Sequence, residues 1–297
     1  MIPVWIGVTR RFSAFDSALL ITADVRADGE GKANGIVQSL NRHYFGVSDR
    51  PDSGLVVGSW GKGTAKTPTT DVDIFYKITR PIFDRFNSHQ GNGQSALLQD
   101  VREGLLQTYP QSKIRGDGQV VVVDFNTLTV EVVPALPLPN GQFLIPDTNG
   151  GGSWRSSDPV AENFALQFSD DQFNANCRRL VRMIKSWCWY CSVPIKSFCI
   201  EILMTQFLLN SAWRQQSFYF YDWLTRDFFE YLIQCKGQIL SAPGTYEPVI
   251  LGSEWLSKAE SAYSRAVKAC VFEYQDQISE AGEEWQKIFG ARIPVTV

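Results

Sequence analysis

The stretch GSWGKGTAKTPTTDVDI, from Gly58 to Ile74, holds the residues whose types and spacing could do chemistry. A Gly-Ser pair opens it, and Asp71 and Asp73, one residue apart, close it. On a strand, side chains alternate between faces, so the two carboxylates point one way and Val72 the other. Two carboxylates converging beside a glycine turn can hold hard divalent cations against a triphosphate. Two-metal transfer of a nucleotidyl group also needs a third acid from a neighbouring strand. The segment 120–134 offers Asp124 and Glu131. Asp124 sits at a strand end before a turn, where Asp is common for local reasons. Glu131 lies within TVEVV, where a carboxylate among valines is costly without a cation. Glu131 is therefore the expected third ligand.

Gly58 and Ser59 are the candidates to hold phosphate. Glycine lets the backbone approach closely, and its N–H groups together with a serine hydroxyl can donate to phosphate oxygens. Lys62 and Lys66, between the Gly-Ser pair and the acids, read as a solvated loop face. A D-x-D alone arises by chance in many proteins. The Gly-Ser pair upstream and an acid on a following apolar strand are what give this one weight.

The elements that must position these groups follow from patterning. Residues 13–46 read as helical, with Ile36, Val37, Leu40 and Tyr44 on one stripe. The glycine-rich DGEGK at 28–32 suggests a break or kink. LVVGS reads as a short buried strand, TTDVDIFYKI as the next, and residues 94–110 as a helix stopped by Pro110. QVVVVDF and LTVEVVPAL form two strands joined by Asn126-Thr127. The Gly-, Pro- and Ser-rich residues 139–159 read as a long connection, with the lobe boundary near it. Beyond it, CRRLVRMIKSWCWYC, PIKSFCIEILMTQFLLN, a segment around 219–237 and SEWLSKAESAYSRAVKACVFEYQ read as helices. The expected class is α+β, with a mixed sheet flanked by helices over residues 1–150 and a helical lobe over 151–297.

Bulk properties narrow the function. With 28 Lys and Arg against 31 Asp and Glu, the net charge is −3. Coating a long nucleic acid draws on a basic excess that this chain lacks, so mononucleotides or short oligonucleotides are the expected ligands. The opening MIPVWIGVTRRF has no sustained apolar core or small-residue cleavage site, which argues against an export signal. The run from Phe198 to Leu209 is too short and too polar to span a membrane. A cytoplasmic protein with reduced cysteines is expected, and Cys188 and Cys191 read as buried thiols rather than half of a zinc site. Neither of the two histidines, His43 and His89, has a partner pattern. The aromatics Trp187, Trp189, Tyr190, Trp213 and the FYFYDW run at 218–223 read as core rather than base-stacking platforms.

GSWGKGTAKTPTTDVDI resembles the GS-x11-D-x-D signature of the polymerase-β-type nucleotidyltransferases, and TVEVVPAL resembles their third-carboxylate strand. Together with NGGGSWRSSDP, LVRMIKSW, KSFCIEIL and EEWQKIFG, these segments are similar to the bacterial cGAS/DncV-like nucleotidyltransferases, the CD-NTases. Many members carry Asp where this chain has Glu131. The resemblance implies a polymerase-β-like nucleotidyltransferase core with a helical C-terminal lobe closing the active-site cleft. It implies an enzyme condensing ATP or other NTPs into a cyclic di- or trinucleotide second messenger for CBASS-type antiviral signalling. Asp71, Asp73 and Glu131 would be catalytic and would hold two Mg²⁺ ions, or Mn²⁺. Lys185 in RMIKSW and Ser197 in KSF match the helical-lobe residues that reach the triphosphate. A separate effector would respond to the product, with synthesis either constitutive or under a regulatory protein partner. Rival readings are a nucleotidyltransferase acting on RNA or a small molecule, and a catalytically inactive nucleotide-binding module.

Overall fold

The structure is a computed structural model and describes residues 6–297; the opening MIPVW, part of the stretch read as no export signal, lies outside them. The chain begins with α1 (Ile6–Leu19), followed by α2 (Ala23–Phe45). The break between them falls at residues 20–22, where Thr22 caps α2 by accepting from the Val25 N–H at 3.4 Å. The expected break at DGEGK does not occur. Gly29 sits within the helix because a neighbour needs the space: a Cβ there would lie 2.5 Å from Cη2 of Trp60, while Gly31 has open space beside it; further along, a Cβ on Gly35 would lie 2.6 Å from the Tyr109 hydroxyl. The tertiary contact outweighs glycine's low helix propensity.

After α2 come β1 (Gly54–Val56), the single turn α3 (Gly58–Gly61), β2 (Asp71–Lys77), α4 (Arg80–Asn87) and α5 (Gly93–Thr108). Next are β3 (Lys113–Asp117), β4 (Val120–Asp124), β5 (Thr129–Pro137), β6 (Phe143–Asp147) and β7 (Ser153–Ser157). The sheet runs β1-β2-β5-β4-β3, with β6 pairing the end of β5 and β7 pairing β6. β2 and β5 are parallel and the other neighbours antiparallel, so this is a mixed sheet as expected. The long connection expected over 139–159 is instead largely the β6–β7 hairpin. Its turn composition belongs to Gly150, Gly151 and Gly152, all at positive φ, while the flanking residues pair in register.

One face of this sheet is apolar. Val72, Ile74 and Tyr76 of β2, Val130 and Val132 of β5, and Val121 and Val123 of β4 pack with Ile36 and Leu40 of α2 and Leu97, Val101 and Leu105 of α5. Alternation then sends Asp71, Asp73 and Glu131 to the other face.

The remaining elements are α6 (Pro159–Gln172), α7 (Asn176–Tyr190), α8 (Ser197–Asn210), α9 (Tyr221–Gln234), the short pair β8 (Ile239–Ser241) and β9 (Pro248–Ile250), α10 (Leu256–Tyr274) and α11 (Ile278–Phe289). The chain forms two compact units, one of Ile21–Asn163 and one of the described residues to Leu20 with Phe164–Val297. This differs from the expected division at 150/151. Val8, Phe12, Phe15 and Leu19 of α1 enter the same core as Leu180, Ile184 and Trp187 of α7 and Phe228 of α9. Arg11 is buried there and donates to Glu273 at 2.9 Å, which fastens α1 to α10. Among the described residues, no helix is long and apolar enough to cross a membrane.

Candidate active site

Strand pairing decides where the three acids meet. In the parallel β2–β5 ladder, Asp73 is the partner of Glu131 and Asp71 the partner of Thr129. Paired residues share a face, so the two aspartates and Glu131 project together from the side opposite the apolar core. Glu131 is half-buried and within hydrogen-bonding reach of Asp73. Burial pushes its carboxyl above the usual carboxylate range, and the charges of Asp71 and Asp117 add to this; Arg115 opposes them. The Thr70 hydroxyl donates to Asp71 Oδ1 at 2.8 Å.

The glycine turn lies against these acids. Gly58 has φ +57, and a Cβ there would collide with the Asp73 carboxylate. Glycine is required on both counts. The Val57 N–H donates to the Asp73 carbonyl at 2.9 Å, which ties the start of α3 to β2. The N–H groups of Thr64 and Ala65 both donate to the Ser59 carbonyl at 2.9 Å, holding the loop after α3 on its first turn. The N–H groups of a first helical turn have no partner within the helix, so those of Gly58 and Ser59 are not used by α3 itself.

Lys62 does not belong to a solvated loop face. It is 7% exposed, and its Nζ donates to Glu162 Oε2 at 2.9 Å, linking the end of α3 to the first turn of α6. A single sequence gives no sign of this pair, because the partners lie a hundred positions apart.

Lys185 and Ser197 belong to the other unit. Lys185 Nζ donates to Glu201 Oε1 at 2.6 Å, with side-chain exposures of only 8% and 5%. Ser197 is the exposed first residue of α8. Cys188 and Cys191 are in no disulfide and are half-buried, and Cys191 Sγ lies 3.5 Å from the Ile288 carbonyl oxygen.

The register brings the three acids to one face without closing them into a cage. No group of three or more His, Cys, Asp or Glu side chains among the described residues is arranged to hold an ion as it stands. The donor chemistry nevertheless suits a hard divalent cation: three carboxylates, two of them in mutual reach, with the half-buried one held high by burial and by its like-charged neighbours.

Comparison with known proteins adds the family. Residues 7–169, more than half of the chain, match the Second Messenger Oligonucleotide or Dinucleotide Synthetase domain, SMODS. The chain belongs to the SMODS family. Among relatives of this SMODS chain is a probable cyclic nucleotide synthase of Bacillus cereus (strain VD146), 24% identical over 222 residues. The match takes in 67% of this chain and 62% of that relative, so it spans less than two thirds of the relative's length. Solved structures share the fold throughout. CdnC of E. coli MS115-1, determined with ATP, superposes with a TM-score of 0.72 at 19% identity, covering 96% of this chain and 98% of CdnC. CdnC has also been determined in a complex with HORMA-deltaN. The Vibrio cholerae DncV cyclic AMP-GMP synthase, in complex with the linear intermediate 5′ pppA(3′,5′)pG, gives a TM-score of 0.67 at 14% identity over 98% of this chain and 88% of DncV. The SMODS chain thus has the polymerase-β-like CD-NTase fold expected from its sequence.

Proposed function

We propose that this chain condenses nucleoside triphosphates into a cyclic di- or trinucleotide second messenger. The observation that carries the reading is the β2–β5 register, which sets Glu131 beside Asp73 and puts Asp71 on the same face, with the Gly58 turn pressed against Asp73. Membership of the SMODS family and the cyclic-nucleotide synthase activities of the Bacillus and Vibrio relatives support it.

In each transfer, a ribose hydroxyl of one nucleotide attacks the α-phosphorus of another. A new P–O bond forms, the bond to the β-phosphate breaks, pyrophosphate leaves and the hydroxyl proton passes to solvent. A further attack within the linear product closes the ring. Asp71, Asp73 and Glu131 would hold Mg²⁺, or Mn²⁺, which would supply acidification of the hydroxyl and neutralisation of the leaving charge. Gly58 and Ser59 bind phosphate through N–H groups that α3 does not use. The family resemblance assigns Ser197 and Lys185 to the triphosphate as well; Ser197 is exposed at the start of α8, whereas Lys185 is held on Glu201 and would have to leave it to take that role.

The product acts on a separate effector in antiviral signalling in the cytoplasm. The near-balanced charge favours constitutive synthesis or control by a protein partner over activation by a long nucleic acid. The CdnC complex with HORMA-deltaN supports the protein partner.

The test is incubation of purified protein with each NTP combination and Mg²⁺, followed by phosphatase and nuclease treatment and mass spectrometry. A nuclease-resistant cyclic product, abolished by Asp73→Ala, is expected. No NTP consumption by the parent protein would retire the enzyme reading in favour of an inactive nucleotide-binding module.

A further inference from the structure

The sheet face that carries the acids extends beyond them. Its register aligns Asp73, Glu131, Val122 and Arg115 in one row, and Asp71, Thr129, Asp124 and Lys113 in the next. Across that face the order is therefore the Gly58–Ser59 turn, the acids of β2, Glu131 of β5, then β4, and finally two cations on β3.

Joining two NTPs means handling two triphosphates, and the reading above, on which this inference rests, uses the glycine turn for only one of them. The donor phosphates lie over that turn and the β2 acids. Glu131 is the acid set farther from the turn, on the β5 side. An attacking hydroxyl served there comes from a nucleotide lying toward β4 and β3. That acceptor brings its own 5′-triphosphate, which a carboxylate face repels unless cations receive it.

Lys113 and Arg115 are exposed on this side. Arg115 Nη1 donates to Asp124 at 2.7 Å, but with side-chain exposures of 46% and 33% the pair is of the weak surface kind. A guanidinium also keeps donors for a phosphate fork. Lys113 makes no ion pair with a described residue. Two strand spacings, about 10 Å, separate the Glu131 and Arg115 columns, comparable to the reach from a ribose hydroxyl to its own distal phosphates. Asp117 pairs with Val120 one row further on, so the anion belongs over Lys113 and Arg115 and not beyond them. We infer that Lys113 and Arg115 form the subsite for the acceptor's triphosphate.

The experiment compares the parent with Arg115→Ala, Lys113→Ala/Arg115→Ala and Asp124→Asn, each checked for an unchanged thermal melt. Pyrophosphate release is followed with an NTP as acceptor and again with a nucleoside lacking 5′-phosphates. The alanine variants should raise KM for the acceptor NTP by about tenfold or more, the scale of one or two charge-assisted hydrogen bonds, with a much smaller change in kcat. The penalty should disappear with the nucleoside, and Asp124→Asn should not reproduce it. An equal penalty with both acceptors, or an equal loss in Asp124→Asn, makes the Arg115–Asp124 pair structural and overturns the inference. Equilibrium dialysis of ATP and GTP with Mg²⁺ decides the matter even where the parent releases no pyrophosphate, a result that sinks the synthase reading by itself. The parent should hold two NTPs and the double variant one; the same number in both overturns the subsite.

Discussion

At position 58 a single methyl group decides whether the acids can keep their places. Gly58→Ala would combine a left-handed backbone, costing an L-residue about 1 kcal/mol, with a direct collision against the Asp73 carboxylate. The fold can absorb that by moving Asp73, but the chemistry cannot, because about 1 Å of misplacement costs roughly a hundredfold in rate. Gly58→Ala should therefore lower kcat by about a hundredfold or more while the melting temperature falls by only a few degrees, read by pyrophosphate release and thermal denaturation. Lys185 presents the opposite balance. Its ammonium is buried on Glu201, and removing one member of a buried pair costs about 3–5 kcal/mol, whereas replacing both with apolar residues can be neutral. Lys185→Met should destabilise the protein on that scale in denaturant titrations, and Lys185→Met/Glu201→Leu should recover most of the loss. If the single variant instead keeps its stability and loses only NTP affinity, the pair is not structural.

Helices and strands carry the site through glycines and register more than through the acids alone. Gly29 is the seat on α2 for the Trp60 indole, and Trp60 belongs to the same single turn as Gly58 and Ser59. Gly29→Val should cost about 1–3 kcal/mol as an overpacked contact and should also weaken NTP binding, because the displaced indole pulls on the phosphate-binding turn. Denaturation and NTP titration of one variant check both halves. Much of this scaffold was legible in the chain. The alternation in TTDVDI and TVEVV gave both strands and the shared direction of their acids, since strand period follows from local sterics. Three features were not legible. The β6–β7 hairpin was hidden because its turn glycines dominated the local composition. Helix α2 reads as interrupted because the partner that needs Gly29, Trp60, is distant in the chain. Lys62 was read as solvated because Glu162 reaches it only through the fold. The last two depend on long-range contacts, which local pattern does not encode.

On the scale of the whole chain, the core of the helical unit contains a group that makes its stability depend on pH. Asp222 on α9 is 1% exposed, and its carboxyl oxygens have no side-chain partner, with only the nearby backbone N–H groups of Trp223 and Asp222 itself to favour the charged form. Burial pushes its carboxyl up to about 7 from an ordinary 3.8; the Trp223 N–H and Arg226 oppose the rise and Glu273 adds to it. Between those two values the folded chain keeps a proton that the unfolded chain has released. Stability from this group is therefore complete below the unfolded value and declines as pH rises through 7. The full difference is on the order of 4 kcal/mol, an upper bound for one group shifted by about three units. Guanidinium titrations at pH 5 and pH 8 should find the parent less stable at pH 8. Asp222→Asn should exceed the parent modestly at pH 5, where the unfolded chain has already released the proton, and by a larger margin at pH 8. A residual slope should remain in the variant, because burial also raises Glu273, whose ion pair with Arg11 only partly offsets it. Because Asn cannot ionise, a parent and variant that lose stability equally between the two pH values would place the slope elsewhere, with Glu273 the first group to test by Glu273→Gln.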